Sequence, residues 1–418
     1  MPEEITIDSL TSADREMLLE IDQAAFGFDA RDMDPESDTA VIEWDRAWGA
    51  RRNGELAAIY VVFSFGLSVP ARPPQMATLV PMAGLSWVAV HPDHRRRGLL
   101  SAMIRHHLHD IHESGRGERV SCLFASESRI YGRFGYGLST ESRRLALRRG
   151  TTLRPLREPG PVTTRFEALD RERHRKIVEQ VYDAACLLRP GNTVRPAAHW
   201  QHALEDPLSR RPSGAEALKI VTVHKDGTPT GYALLRRSPS WGEQTPEGKV
   251  RVVDAHALDP QSGHALWSRL IAFDLMEEVT TPPLALDHPL TVWAAESAAQ
   301  QHFGLALWTR LVDVAAALTA RGYTRDIDVV LDVSDDLCPW NAARWRLTAG
   351  PEGAVCEQTT AAADLALDVR ELGSAYLGGT TLASLGTAGL VEERTPGALA
   401  ACSTAWRSTV LPATPYMF

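Results

Sequence analysis

Apolar and polar positions along the first 150 residues form a pattern that predicts strands and helices in alternation. Residues 10–50 are acidic and have the pattern of helices, and the apolar runs that follow are typical of buried strands. The predicted order implies a mixed α/β layer with a parallel central pair of strands. The elements are strands over Leu56–Phe65, Leu85–Val90, Val120–Ala125 and Leu138–Leu147, a helix over Gly98–His109 and a helical turn over Ile130–Phe134.

The same order of elements returns later in the chain. Asn53-Gly54 precedes the first apolar strand and Asp226-Gly227 precedes another, over Gly231–Leu235; both dipeptides are typical of tight hairpin turns. A strand over Val250–Leu258 then leads into a helix that begins near Gly263. We interpret this as a diverged internal duplication, with two unrelated α/β segments as the alternative.

The pattern changes from about residue 305. A strand is predicted over Leu307–Val314 and a helix over Ala315–Ala320. Asp326–Val333 alternates acidic and apolar residues, which is typical of a half-buried strand. Asp364–Val369 and the glycine-rich stretch Gly373–Gly389 complete what we predict to be an α+β unit.

Composition excludes several classes of protein. A formal net charge of −9 argues against sequence-independent binding to nucleic acid, which needs a basic surface. No window approaches the roughly 18 apolar residues of a membrane span, and the amino terminus lacks an apolar signal core. The five cysteines are scattered and form no CxxC pair. We therefore expect a cytoplasmic protein with reduced thiols and no membrane partner.

The run from Val88 to Leu100 carries the first candidate chemistry. A buried strand leads into a short turn, then Arg-x-x-Gly, then a helix. Unpaired amides at a helix start bind phosphate, and Gly98 lets the backbone approach a pyrophosphate without a Cβ. Arg96 and Arg97 add positive charge, and the strand Val88–Val90 offers backbone groups to an amide-rich ligand arm. Solvated surface is the alternative for this basic run.

The second candidate segment follows the next predicted strand, over residues 126–136. When an amine attacks a thioester, the leaving group is a thiolate, and a phenol with a pKa near 10 can protonate it. Tyr131 is the candidate acid. Tyr136 is the competing candidate, at a position typical of a core aromatic.

In these two segments the chain resembles the GNAT superfamily, and over its whole length it resembles the enhanced intracellular survival (Eis) acetyltransferase family. Trp87–Leu100 and Ile130–Gly137 are the most specific matches. The resemblance implies two tandem GNAT-like mixed-sheet domains, the second degenerate, and a C-terminal domain like sterol carrier proteins. We place these domains at residues 1–150, 151–304 and 305–418.

The resemblance also implies an activity: direct transfer of acetyl from acetyl-CoA to an amine such as an aminoglycoside, a polyamine or a lysine-type acceptor. It implies no metal, and it implies a homohexamer. The alternative is a protein that senses acetyl-CoA or binds an apolar ligand without turnover. The implied acetyl-CoA contacts are Val88, Ala89, Val90, Arg96, Arg97, Gly98, Leu99, Leu100, Ser101, Ser126 and Glu127.

In the same family the general acid falls on Tyr131 and the general base is the α-carboxylate, here on Phe418. A free α-carboxyl is a weak base, but burial raises the pKa of a carboxyl group. Prolines and Tyr416 would stiffen the tail, whereas a frayed chain end is the alternative. Leu100 stands where the phosphate loop usually has Gly or Ala, and Met417 stands where an acidic residue would help bind polyamines.

Three further features carry weaker signals. His106 and His109 share a helix face, and surface histidines are the alternative to a metal site. Asp254-x-His256 lies inside a predicted strand, at the core or its rim. The acidic stretch would draw a cationic amine toward the site, unless it forms only solvated helix faces. Its acidic residues are Asp22, Asp29, Asp32, Asp34, Glu36, Asp38, Glu43 and Asp45.

The second α/β unit lacks the phosphate loop. Its counterpart, Asp259–His264, is three residues shorter between Pro and Gly and has no arginine. Without that charge we expect weak pyrophosphate binding and a structural role for this copy.

Overall fold

The computed structural model describes residues 5–27, 34–208, 211–295 and 298–418, and in them three sheets are covered by helices. In chain order, the first segment contains β1 (Ile5–Ser9), α1 (Arg15–Phe26), α2 (Pro35–Thr39), β2 (Ala47–Arg52), β3 (Glu55–Pro70), β4 (Ala77–Val90), α3 (Leu99–Glu113), β5 (Val120–Phe124), α4 (Ser128–Tyr131), β6 (Gly137–Leu138) and β7 (Glu141–Arg148).

Two further segments follow. The middle one contains β8 (Thr163–Ala168), α5 (Arg171–Cys186), β9 (Thr193–Val194), α6 (Ala197–Leu204), β10 (Lys219–Lys225), β11 (Thr228–Ser238), β12 (Gly248–Ala257), α7 (Pro260–Ile271), β13 (Met276–Thr280), α8 (Pro289–Trp293) and β14 (Ala298–Leu305). The last contains β15 (Leu307–Leu311), α9 (Val314–Ala320), β16 (Ile327–Ser334), β17 (Ala343–Gly350), β18 (Gly353–Gln358), β19 (Leu365–Asp368), α10 (Val369–Ala375), α11 (Leu382–Thr387), β20 (Val391–Glu393) and α12 (Ala398–Trp406).

The first sheet has the strand order β1-β2-β3-β4-β5-β15-β6, with β9 paired to β3. β4 and β5 run parallel, which confirms the predicted central pair. The prediction of helix throughout residues 10–50 is wrong at Ala47–Arg52, which forms β2. Asn53 and Gly54, with φ of 51° and 85°, turn β2 back onto β3, and this pairing buries Ala47 and Ala50 in the core.

The second sheet repeats the arrangement of the first. Its order is β14-β7-β13-β12-β11-β10-β8, and β12 and β13 form its parallel pair. The predicted hairpin at Asp226-Gly227 is present, with φ of 50° and 79° joining β10 to β11. Helix α7 follows β12 as α3 follows β4, so the order of elements supports the duplication.

The third sheet has the order β18-β17-β16-β19-β20. The predicted alternation holds only in part of β16, because Val329, Val330 and Leu331 are all buried in this central strand. Helices α9, α10, α11 and α12 contact these strands. The sheet therefore forms the α+β unit expected from the sequence, and the glycine-rich stretch contributes parts of α10 and α11 to it.

Strands are exchanged between the parts of the chain. β7, from the predicted first domain, pairs with β13 and β14 in the second sheet. β15, from the predicted third domain, lies between β5 and β6 in the first sheet. The sheets therefore do not divide at residue 150 or at residue 305, and the three domain limits stay a prediction about the sequence.

A buried ion pair joins the first sheet to the last segment. Arg310 on β15 donates two hydrogen bonds of 2.7 Å to the carboxylate of Asp335, and their side chains are 0% and 2% exposed. Arg310 also donates to the carbonyl oxygens of Phe134 and Leu311. Because all these groups are removed from water, loss of either partner would leave an uncompensated charge in the core and destabilise the fold.

All five cysteines are buried and unpaired by disulfides. In the described ranges, no three His, Cys, Asp or Glu side chains are grouped in a way that would hold a metal ion. His106 instead hydrogen-bonds Tyr60 at 2.6 Å, and His109 packs on Trp340. No helix within the same ranges is long and apolar enough to cross a bilayer.

We predict that Asp335→Ala lowers the free energy of unfolding by about 3–5 kcal/mol, because Arg310 would keep its charge in a dry site without a counterion. Urea denaturation followed by circular dichroism measures this. The matched control is Asp328→Ala, which breaks an exposed pair with Arg346 and should change stability little. Equal losses in the two variants would contradict this account of Arg310.

Candidate active site

The site begins where two parallel strands separate. β4 and β5 pair only over Met82–Gly84 and Val120–Cys122. Beyond Gly84, β4 continues to Val90 with β3 on its other edge, so the edge toward β5 faces a gap. Backbone groups along such an edge are available to an extended ligand arm, as predicted for Val88–Val90.

A bulge sharpens this separation. The register between β3 and β4 shifts between Ile59 and Val61, so that Trp87 and Val88 on β4 lie opposite the single residue Tyr60 on β3. Trp87 has φ of 52°, a left-handed conformation that a bulky residue rarely adopts. Bulges bend the strand and increase its twist. The end of β4 therefore turns away from β5 at the residues predicted to bind the cofactor.

The start of α3 is open. Gly98 is its N-cap, with φ of 84°, and no side chain caps the first amides. Arg96 also has positive φ, at 61°, and Arg96 and Arg97 are both exposed. Leu99 is buried, whereas Ser101 is exposed on the first turn. Free amides, the helix dipole and two guanidinium groups make this helix start suitable for an anion.

The equivalent helix of the second unit, α7, is capped at its amino-terminal end by a side chain. The Asp259 carboxylate accepts a hydrogen bond of 2.8 Å from the amide of Ser262, at the start of α7. The Ser262 hydroxyl donates to the Asp259 carboxylate at 3.0 Å and lies 2.7 Å from the Thr230 hydroxyl. A built-in carboxylate already occupies this position and would repel a phosphate, which agrees with the predicted structural role of the second copy.

A cavity of about 590 Å³ lies at the gap between β4 and β5, lined by parts of all three sequence segments. Aromatic and polar side chains predominate in its wall. It is bounded by Asp22, Phe26, Asp38, Val41, Leu85, Ser86, Trp87, Val88, Phe124, Ala125, Ser126, Tyr131, His199, His202, Ala203, Tyr416, Met417 and Phe418.

Tyr131, at the end of α4, lines this cavity, and no described residue hydrogen-bonds its hydroxyl. Burial, aided by the nearby charge of Glu127, raises the pKa of Tyr131 to about 12. Tyr136 is fully buried, its ring lies 6.0 Å from that of Tyr131, and its hydroxyl is bonded to Ser121 at 2.8 Å. Of these two tyrosines, Tyr131 lines the cavity and Tyr136 does not.

The last segment packs tightly against the loop that carries Tyr131. A Cβ on Gly135, which has φ of 81°, would approach the Arg310 Nε to 2.7 Å. A Cβ on Gly137 would approach the carbonyl oxygen of Arg370 to 2.1 Å, so any larger residue would separate α10 from this loop. The glycines around Tyr131 thus allow a packing contact that fixes the position of the phenol.

The C-terminal tail docks on the middle segment. Ala413 donates to the Pro190 carbonyl at 3.0 Å, and Thr414 donates to the Gly191 carbonyl at 2.8 Å. The Phe418 ring then packs 4.7 Å from Phe65 and 5.3 Å from Phe124, measured between ring centroids. The frayed alternative does not hold, since these contacts keep the end of the tail at the cavity.

A cluster that sequence reasoning missed positions this tail. Buried Arg195 stacks on the rings of Tyr182, Trp200 and Tyr416, with its guanidinium carbon 4.2 to 4.6 Å from their centroids. It donates to the Asp254 carboxylate at 2.9 Å. Cation–π contacts of this kind strengthen when water is excluded. The predicted core position of Asp254 is correct, and its partner Arg195 gave no signal in the sequence beyond its charge.

Electrostatics keep the cluster in one protonation state. Burial alone would raise the pKa of Asp254, but Arg195 and His256 hold it well below its usual range. Burial lowers the pKa of His199 to about 4, so this imidazole is neutral at pH 7. His199 Nδ1 lies 2.7 Å from the Tyr416 hydroxyl, and its ring packs on Phe63 and Phe65.

The structure brings together most of the predicted site. Val88, Ser126, Tyr131 and Phe418 line one cavity, and residues 96–101 form the turn and helix start that follow β4. Glu127 is exposed at the N-cap of α4, outside the cavity wall. Of the acidic stretch, Asp22 and Asp38 line the cavity, while Asp29 and Asp32 lie outside the described residues.

Comparison with known families and structures agrees with this arrangement. Two models described as acetyltransferase (GNAT) domain match residues 6–139 and 191–315. A model described as sterol carrier protein domain matches residues 314–417. These matches confirm the predicted combination of two GNAT domains with a sterol-carrier-protein-like domain.

Relatives match over nearly the whole chain. An uncharacterized N-acetyltransferase of Streptomyces avermitilis is 40% identical over 391 residues, 90% of each chain. N-acetyltransferase Eis of Mycobacterium tuberculosis is 32% identical over 390 residues, 91% of this chain and 90% of the relative. The crystal structure of Eis1 from Mycobacterium abscessus superposes with a TM-score of 0.80 at 30% identity, covering 99% of this chain and 100% of that one.

Proposed function

Because the chain belongs to the Eis family of GNAT N-acetyltransferases, we propose that it transfers acetyl from acetyl-CoA directly to the amine of a small-molecule acceptor. The observation that carries this proposal is the open start of α3 beside the gap between β4 and β5. Anion site and strand edge occur together only in the first of the two related units, since Asp259 closes the other.

The residues present suit acetyl-CoA. The free amides of α3 with Arg96 and Arg97 would hold the pyrophosphate, and the β4 edge from Val88 to Val90 would pair with the amides of the pantetheine arm. A fixed arginine fork and unpaired amides bind phosphate oxygens by charge-assisted hydrogen bonds. The bound thioester supplies an activated acetyl group at the cavity that Tyr131 and Phe418 line.

Tyr131 and Phe418 divide the proton transfers. The α-carboxylate of Phe418 accepts a proton from the acceptor ammonium, directly or through water, and leaves a neutral nitrogen that can attack. That nitrogen forms a bond to the acetyl carbon as the bond from carbon to sulfur breaks. Tyr131 donates its phenolic proton to the departing sulfur, which leaves as the free thiol of CoA. The acetylated nitrogen then loses its second proton, which returns through water to the Tyr131 phenolate, and Phe418 releases the first proton to solvent.

The cavity favours a cationic small molecule as acceptor. Asp22, Asp38 and the terminal carboxylate contribute negative charge, and no arginine or lysine of the described ranges lines the wall. Negative charge in a cleft raises the local concentration of cations. Aminoglycosides, polyamines and lysine-type amines all meet this requirement, so we propose these three classes as acceptors.

We also propose that the protein assembles as a homohexamer. The observation that supports self-association is the edge strand β14, on which Phe303 is 68% and Leu305 is 54% exposed. Exposed apolar residues on an unpaired strand edge are typical of contact surfaces.

Arg96→Ala tests the cofactor site. We expect CoA affinity to fall about tenfold or more, because one charge-assisted contact to the pyrophosphate is lost. Isothermal titration calorimetry at low and high salt measures this, and salt should weaken binding to the wild type more than to the variant. Arg116→Ala, which removes an exposed charge paired with Asp45, is the matched control. Equal CoA affinities in all three proteins would count against this loop.

Tyr131→Phe tests the general acid. With the phenol gone, kcat should fall by about 10²–10⁴-fold while CoA still binds. Release of CoA thiol with a panel of amines measures turnover. Since the pKa of Tyr131 is near 12, wild-type activity should show no loss from this group below about pH 10. Tyr136→Phe is the control and should keep the wild-type kcat. A fall in kcat in Tyr136→Phe alone would identify Tyr136 as the general acid.

Two glycines added after Phe418 test the general base. The Phe418 ring could keep its contacts with Phe65 and Phe124, but the carboxylate would move away, so kcat should fall by about 10²-fold or more at unchanged CoA affinity. Met417→Leu alters an exposed neighbour and keeps the carboxylate, so it should behave as wild type. Full turnover by the extended chain would remove Phe418 from the mechanism.

A further inference from the structure

Asp22 interrupts an apolar helix face. Helix α1 packs against β3 and β4 and buries Leu18, Leu19, Ile21 and Asp22. Asp22 is 7% exposed, one turn after Leu18 on the same face. An aliphatic residue at this position would complete the buried stripe, so the carboxylate is costly for the fold.

No described residue compensates this cost. Across the described ranges, no hydrogen bond or ion pair reaches the Asp22 carboxylate. Burial raises its pKa to about 6. Among the described residues of the cavity wall there is no lysine or arginine; the titratable neighbours are Asp38, Tyr131, His199, His202 and Tyr416, and His199 is neutral at pH 7. The charge of Asp22 is therefore free to pair with a cation that enters the cavity.

The reacting nitrogen is a poor partner for this carboxylate. A buried anion stabilises the protonated form of a nearby amine, whereas attack on a thioester needs the neutral form. A second ammonium on the same acceptor has no such conflict, because it stays protonated throughout. Trp87 and Phe124 lie in the same wall, and aromatic rings attract a cation of this kind.

Building on the proposed function, we infer that Asp22 binds a second, non-reacting ammonium group of the acceptor and so selects diamines and polyamines over monoamines. Asp22 is in this reading a specificity-determining residue, distinct from the groups that move protons. The acidic residues that follow it along the chain are not required for the contact.

Two probes of equal length separate this role from others: 1,5-diaminopentane carries a second ammonium where 5-amino-1-pentanol carries a hydroxyl. With acetyl-CoA at pH 7.5, Asp22→Asn should raise KM for the diamine about tenfold or more, with kcat within about twofold. KM for the amino alcohol should not change. Asp226→Asn is the matched control, since it removes the same charge from an exposed hairpin turn that asparagine also fits.

Thermal melting and calorimetry complete the test. Asp22→Asn should melt no lower than wild type, because the variant removes an uncompensated buried charge; a lower melting temperature would indicate a structural carboxylate and overturn the inference. A fall in kcat for both probes would make Asp22 a base and would also overturn it. Equal KM values for the diamine in the wild type and the variant would also overturn the inference. Acetylation of the diamine by both proteins would still support the proposed function.

Calorimetry with the diamine and CoA, without acetyl donor, distinguishes the remaining cases. If the wild type binds the diamine and Asp22→Asn does not, the ammonium contact is supported, even when no acetylated product forms. Absence of acetylated product would count against acetyl transfer and not against the contact. Failure of the wild type to bind the diamine would overturn the inference by itself.

Discussion

The separation of β4 from β5 after three paired residues is the constraint on which the candidate site depends. Parallel strands that stay paired leave no free backbone edge, whereas these two open a gap where Trp87 and Val88 bulge. The gap holds the cavity, exposes the β4 edge and leads to the open helix start at Gly98. The cavity, the strand edge and the helix start lie in the order that an extended ligand with a reactive end and an anionic end requires.

Related geometry in the second unit shows why the gap alone is insufficient. β12 and β13 are also parallel and α7 also follows, yet the Asp259 carboxylate caps the helix. The cavity there, of about 270 Å³, is bordered by Trp267, Trp293 and tail residues such as Ala413. The first unit has free amides beside arginines at the start of α3, whereas the second unit provides the surface on which the C-terminal tail docks.

Two buried ion pairs help to hold the elements around the site in place. Arg310 with Asp335 fixes the last segment against the loop of Tyr131, and Arg195 with Asp254 holds the ring of Tyr416. Isolated, each charge would be too costly to bury, but each has a carboxylate partner and further hydrogen bonds. Asp22 differs from both acids because it lacks such a partner among the described residues.

Sequence by itself determined the local features: both hairpin dipeptides, the parallel central pair of the first unit, the loop before α3, and Tyr131 as the acid candidate. These follow from short-range rules of turn conformation, periodicity and helix ends. It misassigned β2 and missed β1, because a strand at the sheet edge is decided by pairing more than by its own residues. Only the tertiary structure decided that β7 and β15 exchange sheets, that Arg195 holds the tail, and that Asp22 has no hydrogen-bond or ion-pair partner among the described residues. Those facts depend on contacts between residues far apart in the chain, and no local pattern encodes which distant group a side chain will meet.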